Sequence, residues 1–215
     1  MVFRPLYLIA DRSLYNPTGK DEGAGADLFF EAVENAIEAG VRLIQYRDKR
    51  SGRGRIYETA MKLRKMTRSQ DVRFIVNDEV DLAMAVKADG VHLGQGDLPP
   101  RIARQLLGEE AIIGLSTHGL EEAVAAATEP IDYIGFGPIF KTKTKPSEYP
   151  PVGIAAIAQI RKHVALPIYA IGGIRRKDLA HIASLNRVGV AVASALAHAS
   201  KETIGEWQNA LRCVG

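Results

Sequence analysis

The stretch Ile168-Tyr-Ala-Ile-Gly-Gly173 is a short apolar run that ends in two glycines. Four successive apolar residues without polar alternation are typical of a strand that is buried on both faces, as parallel sheets require. The amphipathic residues 177–185 follow it and predict a helix. The repeating unit that this stretch predicts is therefore a buried strand followed by a helix.

The same unit recurs on both sides of this stretch, from one end of the chain to the other. Predicted strands span residues 6–10, 42–46, 73–76, 90–93, 112–115, 133–136, 168–171 and 189–193. Predicted helices span residues 28–39, 56–66, 80–87, 101–107, 120–127, 154–162, 177–185 and 203–211. Eight such units predict an α/β fold, a single (β/α)₈ TIM barrel with parallel strands that occupies residues 1–215 as one domain. A doubly wound open sheet is the alternative, but residues 11–17 do not form the glycine-rich first turn that it needs.

The composition is that of an ordinary globular protein, with 47% hydrophobic and 25% charged residues, and argues against a disordered or fibrous chain. The net charge is +3, without a basic block long enough to form a nucleic-acid-binding tail. The single cysteine, Cys213, excludes an intrachain disulfide and a cysteine-based zinc site. The longest apolar run, residues 188–197, is about half as long as a membrane-spanning helix. We therefore expect a cytoplasmic protein that binds neither nucleic acid nor a membrane, and a homo-oligomer is compatible with this composition.

Small residues lie at the carboxyl ends of the last two predicted strands, at the end of the barrel where active sites lie. Gly172 and Gly173 follow strand seven, and Ala193 and Ser194 follow strand eight. Barrels often bind phosphate there through backbone N–H groups, which glycine allows a ligand to approach closely. This pattern favours a phosphate site, and a simple tight turn is the alternative interpretation.

Two acidic residues follow neighbouring strands. Asp78 comes directly after strand three and Asp97 after strand four, and adjacent strands lie about 4.8 Å apart, so the two carboxylates can share one cation. Oxygen ligands without cysteine or a histidine pair fit magnesium (Mg²⁺), which takes one or two carboxylates together with waters and substrate phosphates. The alternative is that each aspartate caps the helix that follows it.

Basic residues complete the predicted mouth of the barrel. Gln45, Arg47 and Lys49 alternate at the end of strand two, so they point to the same side. The long loop after strand six contains Lys141-Thr-Lys-Thr-Lys145, which is either a binding loop or a solvated basic loop. Arginine and lysine beside a divalent metal describe a diphosphate site. One phosphate pocket and one metal-diphosphate pocket predict two small phosphorylated substrates that are joined with loss of pyrophosphate.

Seven motifs, taken together, resemble the thiamine-phosphate synthase family. They are Gln45-Tyr-Arg-Asp-Lys49, Asn77-Asp78, Asp89-Gly-Val-His-Leu-Gly-Gln-Gly-Asp97, Ser116-Thr-His118, Gly137-Pro-Ile-Phe-Lys-Thr-Lys-Thr-Lys145, Ile171-Gly-Gly-Ile174 and Gly189-Val-Ala-Val-Ala-Ser194. The resemblance implies a single barrel that joins a hydroxymethylpyrimidine diphosphate to a thiazole phosphate carboxylate. The products would be thiamine phosphate, pyrophosphate and CO₂, with Mg²⁺ as the cofactor.

The resemblance also implies a role for individual residues. The residues that it assigns to the pyrimidine diphosphate are Gln45, Tyr46, Arg47, Asp48, Lys49, Asn77, Ser116 and Lys145. It assigns the thiazole phosphate to Thr142, Thr144, Gly173, Ala193 and Ser194, and the metal to Asp78 and Asp97. Arg47, Lys145 and Ser116 are the expected catalytic residues. The implied mechanism is dissociative: pyrophosphate departs from a pyrimidine methylene cation, which the thiazole nitrogen captures.

Three alternatives compete with this interpretation. The sister thiazole tautomerases share the barrel but usually lack the paired aspartates and carry a histidine where this chain has Pro138. A phosphosugar isomerase would not need two metal carboxylates. A non-catalytic, ligand-sensing barrel would be expected to lose the charged site residues, which this chain keeps. His92 is equally consistent with a hydrogen-bonded core residue and with a ligand contact.

Overall fold

The computed structural model describes residues 2–15, 22–142 and 149–212, and the side chains of all of these except 22–24. Within these ranges, eight parallel strands close into a barrel in which each strand pairs with its sequence neighbours and β8 pairs with β1. The strands are β1 Leu6–Asp11, β2 Leu43–Arg47, β3 Arg73–Asn77, β4 Gly90–Leu93, β5 Ile112–Thr117, β6 Tyr133–Phe136, β7 Ile168–Ile171 and β8 Val188–Val192. The predicted (β/α)₈ barrel is confirmed.

Eight α-helices alternate with the strands. They are α1 Glu22–Glu38, α2 Arg53–Arg68, α3 Val80–Ala85, α4 Pro100–Leu107, α5 Leu120–Ala126, α6 Ile154–Arg161, α7 Leu179–Ala183 and α8 Lys201–Arg212. Short 3₁₀ helices cover Arg12–Leu14 and Arg176–Asp178. In the described part of the chain, no helix combines the length and the apolar character that crossing a membrane requires.

Apart from the start of the first helix, the predicted boundaries agree with the structure to within three residues. Two of the differences have identifiable reasons. Helix α1 begins at residue 22 rather than 28. The glycines at positions 23 and 25 lower the helix propensity of its first turn, so the sequence pattern did not predict this turn, although it forms. The predicted helix 177–185 starts as the 3₁₀ turn Arg176–Asp178 and continues as α7. The Asp178 carboxylate accepts the backbone N–H of Arg175 at 2.9 Å and holds this tighter turn in place.

The strands bury both faces in two separate apolar layers. The outward faces of the strands pack against the helices, whereas the inward side chains of β1, β6 and β7 fill the lower barrel with Tyr7, Tyr133 and Tyr169. The three rings meet edge to face, with centroids 5.1–5.8 Å apart, an arrangement that aromatic quadrupoles favour. Because these rings fill the lower barrel, the open space lies at the carboxyl ends of the strands.

Gly114 on β5 makes room for the tyrosine layer. A Cβ atom at this position would lie 2.1 Å from Cζ of Tyr133 and 2.5 Å from Nδ1 of His92. No side chain fits at that distance, so the packing of β6 and β4 against each other across the barrel interior requires glycine here. Gly114 therefore leaves the space that the rings of Tyr133 and His92 occupy.

Candidate functional site

A cavity of 410 Å³ opens at the carboxyl ends of the strands. This volume is within the range of small-molecule sites. The predicted site residues that line it are Gln45, Arg47, Asn77, Ser116, Thr142, Gly173, Ala193 and Ser194. The structure thus brings residues from three strands (β2, β3 and β5) and from the three loops after β6, β7 and β8 to one cavity.

Arg47 enters the cavity from the end of β2 and is held by Asp11. The register of the barrel places the two residues opposite each other on β1 and β2, and the Arg47 Nη1 atom lies 2.5 Å from the Asp11 Oδ2 atom. Asp11 is 2% exposed, and its other oxygen accepts both the N–H and the hydroxyl of Ser13. The hydrogen bonds from Ser13 therefore hold Asp11 in place, and Asp11 orients the guanidinium group of Arg47.

The two predicted metal ligands lie together on the rim beside β3 and β4. The Nζ atom of Lys49 lies 2.6 Å from Oδ2 of Asp78. Asp97 turns back on its own loop and accepts the N–H of Gly94 at 2.7 Å. Partial desolvation and the neighbouring Asp78 carboxylate raise the pKa of Asp97, against the opposing effects of the Gly94 bond and of Lys49. Two carboxylates and one ammonium group therefore share this corner of the rim.

The helix-cap interpretation of both aspartates is wrong. Helix α3 has Glu79 at its N-cap position and α4 has Pro99, and neither N-terminus has a side-chain cap. Asp78 instead adopts a left-handed backbone conformation with φ of 62°, which aspartate and asparagine tolerate better than most residues, and its N–H donates to the carbonyl of His92. Asp78 is therefore held by β4 and Asp97 by its own loop, and the two carboxylates lie close enough for Asp78 to raise the pKa of Asp97.

This donor set suits a hard divalent cation. The carboxylates of Asp78 and Asp97 are oxygen ligands that repel each other unless positive charge lies between them, and Mg²⁺ completes its coordination with waters and phosphates. Among the described residues, no group of three or more histidine, cysteine, aspartate or glutamate side chains could hold a metal. Two carboxylates are the number of protein ligands that Mg²⁺ often takes beside waters and substrate phosphates, so the described pair fits such an ion.

The glycines after β7 are required by the loop itself. Gly172 and Gly173 have φ of 100° and 64°, and a Cβ at Gly173 would lie 2.6 Å from the carbonyl oxygen of Lys141. The tight-turn interpretation is therefore sufficient to explain both glycines. It is also compatible with a phosphate site, because Gly173 lines the cavity together with Ser194.

The structure does not bring the side chains of Tyr46 and Asp48 to the cavity. Tyr46 points outward from β2 into the layer between strands and helices, where it is 2% exposed. Its hydroxyl donates to Asp48, whose other oxygen accepts the N–H groups of Arg50 and Ser51. Burial alone would raise the pKa of Asp48, but these bonds outweigh it and lower the pKa. Both side chains stabilise the loop rather than line the site, because alternate residues of a strand face opposite ways.

The basic loop after β6 borders the mouth of the cavity at both of its described ends. Thr142 lines the cavity, and Tyr149 stacks on His118 with ring centroids 3.8 Å apart. The Nδ1 atom of His118 is hydrogen-bonded to the carboxylate of Glu122 on α5. The predicted site residues Thr144 and Lys145 lie outside the described residues.

Several cavity residues were missed by the sequence interpretation. Asp11, Tyr7 and Tyr133 line the cavity beside His92. The signal that could have found them is strand parity: Asp11 follows Tyr7 and Ile9 at alternate positions of β1, so all three face inward. The reading of the first strand as a purely apolar run left this alternation unused.

Comparisons with known proteins agree on one family. The family model described as thiamine monophosphate synthase matches residues 6–196. The chain is 46% identical to the thiamine-phosphate synthase of Pelotomaculum thermopropionicum, over 86% of this chain and 84% of that protein. It is 41% identical to that of Chloroflexus aurantiacus, over 92% of this chain and 87% of that protein.

Solved structures agree with these matches. The thiamine phosphate pyrophosphorylase from Pyrococcus furiosus is 35% identical and superposes with a TM-score of 0.82, covering 97% of this chain and 96% of that one. A geranylgeranylglyceryl phosphate synthase from Thermoplasma acidophilum, at 15% identity and a TM-score of 0.68 over 96% of this chain and 92% of that one, shares the fold alone.

Proposed function

The chain belongs to the thiamine monophosphate synthase family and is a transferase, and we propose that it joins a pyrimidine diphosphate to a thiazole phosphate. The products are thiamine phosphate and pyrophosphate, with CO₂ when the thiazole carries a carboxylate. The observation that carries this proposal is a cavity lined by Arg47 and Asn77 at the ends of β2 and β3 and by Gly172, Gly173 and Ser194 beside β7 and β8. Lys49 and Asp78 pair on the adjoining rim.

The charged wall suits the diphosphate. Arg47, oriented by Asp11, can donate two parallel hydrogen bonds to phosphate oxygens, and Lys49 adds a point charge. Asn77 ends β3 on the same wall and can donate its amide protons to the ligand. Lys145 is expected to join them, on the resemblance of its motif to the family pattern.

The acid pair suits the cofactor. Asp78 and Asp97 would hold Mg²⁺, which when bound supplies positive charge to the diphosphate oxygens. Lys49 lies 2.6 Å from Asp78, so one ammonium group accompanies the acid pair on this rim. The protein therefore presents alternating charges to a ligand that carries negative charge at its leaving group.

The chemistry asks for positioned positive charge rather than for proton transfer. The bond between the pyrimidine methylene carbon and the diphosphate oxygen breaks, and both electrons leave with the pyrophosphate. The thiazole nitrogen then donates its electron pair to the methylene carbon and forms the new C–N bond. Asp11 holds Arg47 at the cavity before any ligand binds, and preorganised charge of this kind stabilises the transition state more than the ground state.

The opposite wall suits the thiazole phosphate. Gly173 and Ser194 face the cavity, where backbone N–H groups and one hydroxyl can bind phosphate oxygens without a metal. Thr142 lies at the same mouth and adds a hydroxyl. Thr144 is expected to do the same.

Pyrophosphate release tests this proposal. The purified protein is mixed with both substrates, and pyrophosphate and thiamine phosphate are measured together, with Mg²⁺, with EDTA, and with EDTA followed by excess Mg²⁺. We expect equal amounts of both products, loss of both with EDTA, and recovery with Mg²⁺. Thiazole isomerisation without pyrophosphate would show that the chain is a tautomerase, and full activity in EDTA would overturn the role of the acid pair.

A further inference from the structure

Four hydrogen bonds run in series through the barrel interior, from Gln45 on β2 to Ser116 on β5. The Gln45 side-chain amide donates to the Tyr7 hydroxyl at 2.7 Å, and the Tyr7 and Tyr133 hydroxyls lie 2.8 Å apart. The Tyr133 hydroxyl lies 3.0 Å from Nδ1 of His92. Nε2 of His92 lies 2.9 Å from the Ser116 hydroxyl.

The proton count along this series gives it a direction. Burial raises the pKa of both Tyr7 and Tyr133, so each phenol keeps its one proton. Because the Gln45 amide donates to Tyr7, the Tyr7 proton is available to Tyr133, and the Tyr133 proton is available to Nδ1 of His92. A neutral imidazole that accepts at Nδ1 carries its proton at Nε2 and donates there.

The opposite direction leaves a buried proton unused. In the part of the chain that the structure describes, the Tyr7 hydroxyl has two hydrogen-bond neighbours, Gln45 and Tyr133. If Tyr133 donated to Tyr7, the Tyr7 oxygen would accept two bonds and its own proton would have no acceptor among the described residues. A buried donor without a partner costs free energy, so the direction from Gln45 toward Ser116 is favoured.

Packing prevents the His92 ring from turning away from this series. The ring stacks on Tyr133 with centroids 5.4 Å apart and an interplanar angle of 24°. Gly114 and Gly135 have no side chain, so the ring lies close to their backbone: a Cβ at Gly135 would lie 3.1 Å from Cε1 of His92. The geometry of the imidazole is therefore fixed from both sides.

We propose that this series holds His92 as its neutral Nε2–H tautomer, and that His92 is a positioning residue for Ser116. Ser116 accepts from His92, so its own proton is left to donate into the cavity that it lines. The ligand atom that Ser116 meets is then a hydrogen-bond acceptor, such as a ring nitrogen of a pyrimidine. The contact between Ser116 and the ligand rests on the proposed function, in which a pyrimidine ring occupies the cavity. The tautomer of His92 does not rest on the proposed function.

The tautomer can be measured on the whole protein without any substrate. Protein labelled with ¹⁵N-histidine gives long-range ¹H–¹⁵N spectra that distinguish a protonated from an unprotonated ring nitrogen. The signals of His92 are assigned by their loss in His92→Gln. We expect unprotonated Nδ1 and protonated Nε2 at pH 8. A protonated Nδ1, alone or in an even mixture of tautomers, would overturn the proposal.

Two interior tyrosines form a matched pair for this measurement. Tyr133→Phe breaks the series, and we expect His92 to populate both tautomers. Tyr169→Phe removes a hydroxyl of the same interior layer that donates instead to the Arg4 carbonyl at 2.8 Å, and the His92 signals should stay unchanged. If Tyr133→Phe does not fold, Gln45→Met replaces it, because it removes the amide that gives the series its direction. An unchanged tautomer in the folded variant would contradict the proposal.

Kinetics then separate positioning from a structural role. We expect Tyr133→Phe to lower kcat/KM roughly ten-fold, the loss typical of one oriented hydrogen bond. Ser116→Ala should lower it at least as much, and the double variant should lose no more than Ser116→Ala alone, because His92 acts through that hydroxyl. Additive losses would overturn the proposal. An inactive wild-type protein with the expected tautomer would refute the proposed function and leave the assignment of His92 standing.

Discussion

The two walls of the cavity solve the problem of binding an anion in different ways. The wall beside β2–β4 and its rim use charged side chains: Arg47 lines the cavity, and Lys49 and Asp78 pair on the rim outside its lining. The wall beside β7 and β8 uses the main chain, with Gly172 and Gly173 in left-handed conformations. Anion binding on the first wall depends on the charges of the side chains, and anion binding on the second wall depends on the conformation of the backbone.

This difference teaches where each wall is vulnerable. On the charged wall, every described cation is paired with a carboxylate: Arg47 with Asp11 and Lys49 with Asp78. A substitution there changes the charge balance while the backbone stays in place. On the glycine wall, a single added methyl group meets main-chain atoms. Substitutions on the two walls should therefore affect different kinetic constants.

The largest effect is expected for Asp78→Asn. Asparagine tolerates the left-handed φ of 62° at this position, so the fold should be kept while the acid pair loses a charge. Pyrophosphate release should fall by roughly 100-fold or more, the scale of losing an electrostatic contact to the transition state. Asp81→Asn is the control, since Asp81 is an exposed partner of Arg53 on the nearby α3. Similar rates for both variants would remove Asp78 from the site.

Gly173→Ala tests the other wall. At φ of 64°, with a Cβ 2.6 Å from the Lys141 carbonyl oxygen, alanine must displace the loop. The KM for the thiazole phosphate should rise about ten-fold, since small displacements of a binding loop are costly, whereas the KM for the pyrimidine diphosphate should stay within about two-fold of wild type. Gly54→Ala, in α2 where an added Cβ meets nothing within 4 Å, is the control. An equal rise in both KM values would show that the walls are not independent.

Asp11→Asn sharpens the comparison within the charged wall. The substitution keeps the shape of a side chain that is 2% exposed but weakens its bond to Arg47. We expect kcat to fall about ten-fold because the guanidinium loses its fixed orientation, without a higher KM for the diphosphate, since the wall gains net positive charge. Steady-state kinetics measure both constants. The matched control is Arg53→Ala, which removes ion pairs at the surface that contribute little. A rise in KM with unchanged kcat would argue against orientation.

The smallest effect is expected for Asp48→Asn, which belongs to the charged stretch but not to the wall. Its hydrogen bonds lower the pKa of Asp48 below the ordinary 3.8, so the ionised form stabilises the fold above that pH and the contribution is lost as the pH falls through the lowered pKa. The variant should be less stable by about 1 kcal/mol at pH 7. Denaturant unfolding at pH 7 and pH 3 should show the difference from wild type shrinking at the lower pH. A constant difference would contradict the assigned cause.

Strand parity separates what could be predicted from what could not. The alternation of Gln45, Arg47 and Lys49 predicts that these residues face the same way, and the first two do line the cavity. The same alternation, applied to Tyr46 and Asp48, indicates that they face outward, but the motif resemblance grouped all five together. Cytoplasmic location, assembly into a homo-oligomer and the one-domain boundary at 1–215 stay predictions.

The sequence by itself determined the barrel, because eight short apolar runs that are buried on both faces have few other ways to hide their surface from water. It also placed the charged site residues at or beyond the strand ends, since strands buried on both faces exclude charged side chains from their interior. Only the tertiary structure decided the partners of those residues: that Asp97 turns toward Asp78, that Asp11 holds Arg47, and that a hydrogen-bonded series ends at Ser116. These contacts join residues far apart in the chain, and the register and closure of the barrel set their distances.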